Sequence, residues 1–285
     1  MKKNINLIII TLMIVCMSFT IVNAQTIVSG TINTEENDLN TNLYLEFNNA
    51  VKVAMDNYNS GSISQDEYIK IMSEIKNKIE VNGVYEQVKS DAASISNEGI
   101  SVCANTCTSG GGDYEDYLLF DRFTPEEIWL FTTHPIKSAE AKSLAETASD
   151  KTHELYKAYT HWQGNGDAFR HAYWSALMTK HIDRDYAYDA GLAHEGLERG
   201  YSFSAQSDDV KMDISNNYAG RILGDDNSSL SDTRLANLIR DEVSAGNLER
   251  IRTYTSNSSL MDCKLNGVMT KYVGYYVPTS DGGLN

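Results

Sequence analysis

Three short blocks of this sequence hold residues of the kind that do acid–base, metal or oxyanion chemistry. DAFRHAYWSALM carries Asp167, Arg170 and His171; AHEGLERG carries His194 and Glu195; MDISNNYAGRILG carries Asp213, Asn216, Asn217 and Arg221. A histidine oriented by a carboxylate takes up a proton near neutral pH, and guanidinium and amide donors hold an oxyanion. Histidine and carboxylate side chains on neighbouring helices also ligate divalent metals; His171, His194 and Asp213 are the candidate ligands. Taken together these are the ingredients of phosphodiester hydrolysis. In that scheme His171 is the base, Asp167 or Glu195 orients it, and Arg170 or Arg221 stabilises the developing charge. The zinc-protease pattern HExxH is absent, because position 198 is Glu.

Each block also has a plainer explanation. Asp167 follows two glycines and could cap a helix, and His171 could be a satisfied core histidine. His194 and Glu195 are adjacent, so they cannot share one face of a regular helix, although both can border one cleft; His194 and Glu198 are four apart and could pair. The third block is the hardest to explain as scaffold. Asp213, Ser215, Asn216, Asn217 and Gly220 are poor or indifferent helix formers, yet Met212, Ile214, Tyr218, Ala219 and Ile222 keep an amphipathic pattern. Asparagine turns, or a glycine that permits close helix contact, would be the structural alternatives.

Helices must position these blocks. The pattern predicts a first central helix from Asp167 to about His181, a second ending near Arg199-Gly200, and a third capped by Ser207 and running to Leu223-Gly224. A fourth is capped by Ser231 and closed by Gly246. Upstream, Ser64-Glu67 and Thr124-Glu127 have capping-box spacing, the latter with Pro125 at the first helical position. The stripe of Leu43, Phe47, Ala50, Val51 and Ala54, followed by Ile69, Met72 and Ile79, predicts an N-terminal α-hairpin. A long amphipathic pattern runs from Ser138 to about Tyr159. KLNGVMTKYVGYYVP, near the end, is rich in β-branched and aromatic residues and predicts a short hairpin or terminal strand. The fold class is therefore mainly α: an orthogonal or irregular helical bundle, with the α-hairpin before it and a short β piece after it.

The motif set DAFRHAYW, AHE and MDxxNNxxGR resembles a bacterial domain of unknown function, over roughly residues 125 to 250. That domain is similar to the C-terminal domain of wall-associated YD-repeat toxins, for which a tRNA-cleaving activity is implied. Asp167, Arg170, His171 and Trp174 match the first motif, His194 and Glu195 the second, and Asp213, Asn216, Asn217, Gly220 and Arg221 the third. Ser215 stands where the resembled pattern often has a histidine, and no repeat-built delivery module accompanies the motifs.

The rest of the chain bounds the setting. Residues 1–24 have two lysines, an apolar run and small residues before a cut after Ala24, which predicts a signal peptide and a secreted or periplasmic protein. Residues 25–95 read as a polar leader and the α-hairpin, 96–122 as a Cys/Gly-rich loop, 123–253 as the main helical domain and 254–285 as a β-like tail. The 24 basic against 39 acidic residues, net −15, disfavour non-specific binding to nucleic acid while leaving divalent metal open. Beyond residue 24 no segment is apolar enough to span a membrane. Cys103, Cys107 and Cys263 allow one disulfide with a thiol left over. Three functions stay open: an exported hydrolase acting on a phosphodiester, a non-catalytic secreted module whose polar network fixes helix register, and a metal-binding module.

Overall fold

A computed structural model describes residues 42–81, 83–99, 122–254, 262–265 and 268–279. The signal peptide, the leader to residue 41, the Cys103–Cys107 pair and the glycine run at 110–112 lie outside the described residues. So does the disulfide question, since the side chain of Cys263 is not described either.

The fold is mainly α, and the chain divides into two compact units. The first contains α1 (Leu43–Asn59), α2 (Gln65–Ile79), α3 (Val84–Gly99) and α4 (Pro125–Thr133). Both expected capping boxes form: the Ser64 and Thr124 hydroxyls accept from the Glu67 and Glu127 amides, and each glutamate accepts from the cap residue's own N–H. Phe47, Val51, Met55, Tyr68, Met72, Ile75, Ile79, Phe123 and Ile128 are buried as this unit's core.

The second unit comprises the described residues from 140 onward. It takes in most of α5 (Pro135–Leu155), then α6 (Asn165–His181), α7 (Arg184–His194), α8 (Asp208–Asp226) and α9 (Asp232–Ala245). Three strands, β1 (Glu249–Tyr254), β2 (Asp262–Leu265) and β3 (Val268–Pro278), pair antiparallel in the order β1-β3-β2. α6 is the central element. Its residues from Asn165 to Ala168 and nearly all that follow to Met178 are buried, so it is covered on every side, polar Asn165, Asp167, His171 and Ser175 included. α8 packs on it at very short range: a Cβ at Gly220 would stand 2.1 Å from the Ala172 carbonyl oxygen, and one at Gly224 2.5 Å from that of Ala176. The Ser175 hydroxyl donates to the Asn217 carbonyl at 2.9 Å across the same contact.

Several boundaries differ from the sequence expectation. α5 ends at Leu155, and Ala158–Thr160 form a separate 3₁₀ turn. α6 begins two residues before Asp167; its N-cap is Gly164, so Asp167 does not cap it. α7 stops at His194 rather than near Arg199, because Gly196 takes a left-handed φ of 65° that ends the helix. The i,i+4 spacing that would pair His194 with Glu198 on one helix therefore does not exist. α8 is an unbroken helix of 19 residues despite its asparagines. Strand pairing begins earlier than expected, at Glu249.

Candidate functional site

α6 delivers Asp167 and His171 one turn apart, on one face. Asp167 lies in the first turn, where the helix dipole favours a carboxylate. Its Oδ2 accepts from the Gln163 amide at 2.6 Å and its Oδ1 from Arg170 Nη2 at 2.5 Å. Arg170 is also tied to the His161 carbonyl through Nη1 at 3.2 Å. Gln163 is held at a left-handed φ of 57°, unusual for a side-chain-bearing residue. In that position it serves three elements. Its amide reaches Asp167, its Nε2 donates to Asp209 Oδ1 at 2.8 Å, and its carbonyl accepts from the Ile251 amide of β1 at 3.0 Å.

His171 stands between two carboxylates, with Nε2 3.6 Å from Oδ1 of Asp167 and 3.6 Å from Oδ1 of Asp213 on α8. Those separations are longer than hydrogen bonds. Oδ1 of Asp213 and Nε of Arg170 are buried without a hydrogen-bond partner, whereas the Asn217 amide acts on the His171 ring as a hydrogen-bonding neighbour at a geometry too poor for a full bond. His171 is 3% exposed and Asn217 1%, so solvent does not satisfy them from outside. Each such stranded group costs about 1–3 kcal/mol, and folded proteins carry few of them.

The end of α7 closes the cluster. The His194 ring centroid lies 5.8 Å from that of His171 and 5.5 Å from that of Trp174. Trp174 is fixed by its Nε1–H, which donates to the Ala141 carbonyl at 3.0 Å. Because the helix terminates at His194 and Glu195 is its C-cap, these neighbours converge where a continued helix would splay them. A ligand atom from each of His171, His194 and Glu195 lies within 4.8 Å of the others, and the same holds for Asp167, His171 and Asp213. A helix C-terminus also favours a cation.

Electrostatics follow from this crowding. Burial, then the neighbouring Arg170 and His194, holds His171 well below the ordinary histidine range against the opposing pull of the Asn217 side chain, so the imidazole is neutral. Burial pushes Asp213 well above the carboxylate range, reinforced by Glu195, Asp167 and Asp209. Asp167 is pushed up to about 6 by burial, against the opposing pull of Arg170 and the Gln163 amide. Four carboxylates thus face one guanidinium.

The structure brings Asp167, Arg170, His171, His194, Glu195, Asp213 and Asn217 into this cluster. Asn216 is directed elsewhere: its Oδ1 accepts from the Glu249 amide at 2.9 Å and its Nδ2 donates to the Glu249 carbonyl at 3.0 Å, strapping β1 to α8. Arg221 lies further along α8, its guanidinium 4.8 Å from the Tyr188 ring centroid and 5.8 Å from that of Tyr218. Sequence reasoning missed Gln163 and Asp209, and it missed Tyr188. The glycines after Gln163 marked a turn, but nothing local announced a left-handed glutamine. The partnership of Tyr188 with Arg221 depends on how α7 registers against α8.

Among the described residues no helix is long and apolar enough to cross a membrane. No curated protein and no solved structure matches the chain. Residues 128–247, which hold every residue of the cluster, match the family described as Domain of unknown function (DUF6973).

Proposed function

We propose that the helical unit is an exported hydrolase that cleaves a phosphodiester with a divalent metal ion held by His171, His194 and Glu195. The observation that carries this is the buried ligand cluster itself: His171, His194 and Glu195 offer atoms within 4.8 Å of one another, beside an unpartnered Asp213 Oδ1 and a poorly paired His171–Asn217 contact. Two imidazoles and a carboxylate form a donor set that suits zinc and leaves positions open for water and substrate. Such an ion lowers the pKa of a bound water to about 7 and offsets the surplus of carboxylates.

This chain's residues then divide the work. His171, His194 and Glu195 would hold such an ion, and the Nε2 side of His171 faces Asp167 and Asp213, the carboxylate–histidine arrangement that fixes a ligand's tautomer and orientation. Gln163 and Arg170 hold Asp167 in place for that task. A positive charge at the cluster would lower the raised pKa of Asp213 and leave it ionised, able to accept the proton of the attacking water as the water's oxygen bonds to phosphorus. That proton passes to the departing alkoxide as the P–O ester bond breaks. The Asn217 Nδ2–H donates to a non-bridging oxygen as negative charge builds on it.

Support comes also from the resemblance of the three motifs to toxin domains with an implied RNA-cleaving activity, and from residues 1–24, whose pattern fits export. A network that only fixes helix register describes Asn216 and Ser175, whose side chains are satisfied. It leaves the partnerless Oδ1 of Asp213 and the poorly aligned His171–Asn217 contact unexplained.

The test uses full chain purified without an affinity tag. Elemental analysis after zinc or manganese loading, and hydrolysis of bis(p-nitrophenyl) phosphate and RNA with and without chelator, are compared with His194→Gln and Glu195→Gln. Stoichiometric metal and chelator-sensitive cleavage, both lost in the variants, are expected. Folded protein that takes up no metal, or cleavage indifferent to chelator and to both substitutions, overturns the proposal.

A further inference from the structure

Asp213, Asn217 and Arg221 recur every fourth residue and so form one line along α8. α7 runs antiparallel beside them. Glu195 bears electrostatically on Asp213, a Cβ at Gly191 would meet Asn217 Nδ2 at 3.2 Å, and the Tyr188 ring lies 4.8 Å from the Arg221 guanidinium. Arg221 therefore lies on the same seam as the cluster, about 12 Å along the helix from Asp213 at 1.5 Å per residue.

The guanidinium of Arg221 is placed unusually. The residue is 7% exposed, yet no described residue gives it a hydrogen bond or an ion pair. Two aromatic rings flank it instead, those of Tyr188 and Tyr218, and Tyr201 is near enough to act on it electrostatically. The other charge close to it is a cation, Arg184, which is itself paired with Asp225 at 2.5 Å. In a chain with 39 acidic residues, a buried arginine that meets none of the described ones as a partner is a costly arrangement. Stacking on tyrosine offsets part of the cost and leaves the in-plane N–H donors uncommitted, the geometry in which arginine grips an oxyanion. Tyr218 is 59% exposed and stands at the solvent edge of this pocket.

We infer that Arg221, flanked by Tyr188 and Tyr218, is a substrate-binding subsite for a phosphate group bonded to a planar aromatic moiety, separate from the reacting centre. The guanidinium takes the phosphate oxygens, and the aromatic moiety packs on the outer face of Tyr218. The choice of phosphate over carboxylate rests on the hydrolase reading above; the existence of the subsite does not. Being two helical turns from Asp213, Arg221 acts on binding, so its loss raises KM for a phosphodiester and leaves kcat nearly unchanged.

The experiment titrates full chain with phenyl phosphate, inorganic phosphate and benzoate by calorimetry, for wild type, Arg221→Met, Tyr218→Ala and His194→Gln. Phenyl phosphate is expected to bind wild type and His194→Gln alike. It should bind Arg221→Met at least tenfold more weakly. Tyr218→Ala changes an exposed side chain and so keeps the fold; it should weaken phenyl phosphate severalfold and inorganic phosphate little. Unaltered binding of phenyl phosphate by folded Arg221→Met overturns the subsite. Should Arg221→Met not fold, unaltered affinity in Tyr218→Ala does so. Benzoate binding as tightly as phenyl phosphate overturns the phosphate assignment. If phenyl phosphate binds through Arg221 but no phosphodiester is cleaved, the subsite stands and the hydrolase falls. If cleavage needs His194 while KM ignores Arg221, the reverse holds.

Discussion

Two adjacent asparagines should respond to the same substitution with opposite signs. Asn217→Leu keeps the branched shape of the side chain and replaces two buried amide atoms whose side-chain partner is a poorly aligned contact with the His171 ring. Relief of stranded donors and acceptors is worth about 1–3 kcal/mol, against a few tenths for fitting slightly larger methyl groups beside Gly191. The net expectation is a gain of about 1–2 kcal/mol, or about 2–4 °C in Tm for each kcal/mol in a unit of this size. The backbone bond from Ser175 to the Asn217 carbonyl is untouched. Asn216→Leu removes both bonds to Glu249 and strands its amide and carbonyl, a loss of about 2–4 kcal/mol. Thermal and urea unfolding of both variants, with phosphodiester hydrolysis measured alongside, reads this out. Asn217→Leu should be more stable than wild type and about 10²–10³-fold slower, the usual cost of an oxyanion donor. A folded Asn217→Leu that is less stable than wild type by 1 kcal/mol or more would refute the reasoning, because it would mean the amide is satisfied and structural.

Other perturbations test the parts around the site. Gly220→Ala places a methyl 2.1 Å from the Ala172 carbonyl oxygen, and backbone on both sides prevents an easy retreat. It should cost more than about 3 kcal/mol despite alanine's better helix propensity, as measured by urea midpoint. His161 is held down to about 4, chiefly by burial, against an ordinary value of 6.5, so the folded state binds its proton less readily than the unfolded state. Its contribution is constant above pH 6.5, and stability falls as pH drops from 6.5 towards 4, by about 2–3 kcal/mol. Urea unfolding of His161→Gln across that range should show a shallower fall than wild type; parallel curves would sink the assignment. Ser64→Ala and Thr124→Ala each lose a cap worth about 1 kcal/mol and should leave zinc uptake, read by calorimetry, unchanged.

Much of the fold was legible because its signals are local. Ser64, Thr124, Ser207 and Ser231 each cap a helix as their spacing implied, and Gly246 closes α9 in the left-handed conformation. The convergence of the three blocks was legible as a set of residue types, since Asp167 and His171 share a helix face wherever that helix goes. What escaped was whatever depends on tertiary register. Asn216 and Asn217 look equivalent in sequence, but a 100° rotation between neighbours sends one to β1 and the other into the cluster. Gln163 belongs to the site only because a strained backbone aims its amide at Asp167. The end of α7 was misplaced by several residues because Gly196 and Gly200 are equally plausible stops, and both take positive φ.

That misplacement bears on the chemistry. If α7 continued to Arg199, His194 and Glu195 would project about 100° apart, and only one could face His171. Ending the helix at His194 frees Glu195 to turn beside it, so the neighbours come within ligand distance of His171 together. The terminus also sets the negative end of the helix dipole at the site, which suits a cation and not a bare carboxylate. Glu195 is nonetheless placed there, near Asp213, Asp167 and Asp209. Carboxylates gathered at the negative end of a helix raise the energy of the cluster, and the sequence that puts them there also leaves Asp213 Oδ1 without a partner and the His171–Asn217 contact poorly made. A structural network lowers its energy by pairing such groups. This arrangement makes energetic sense with a positive charge bound among them, and the sign of the Asn217→Leu stability change separates the two cases before any substrate is known.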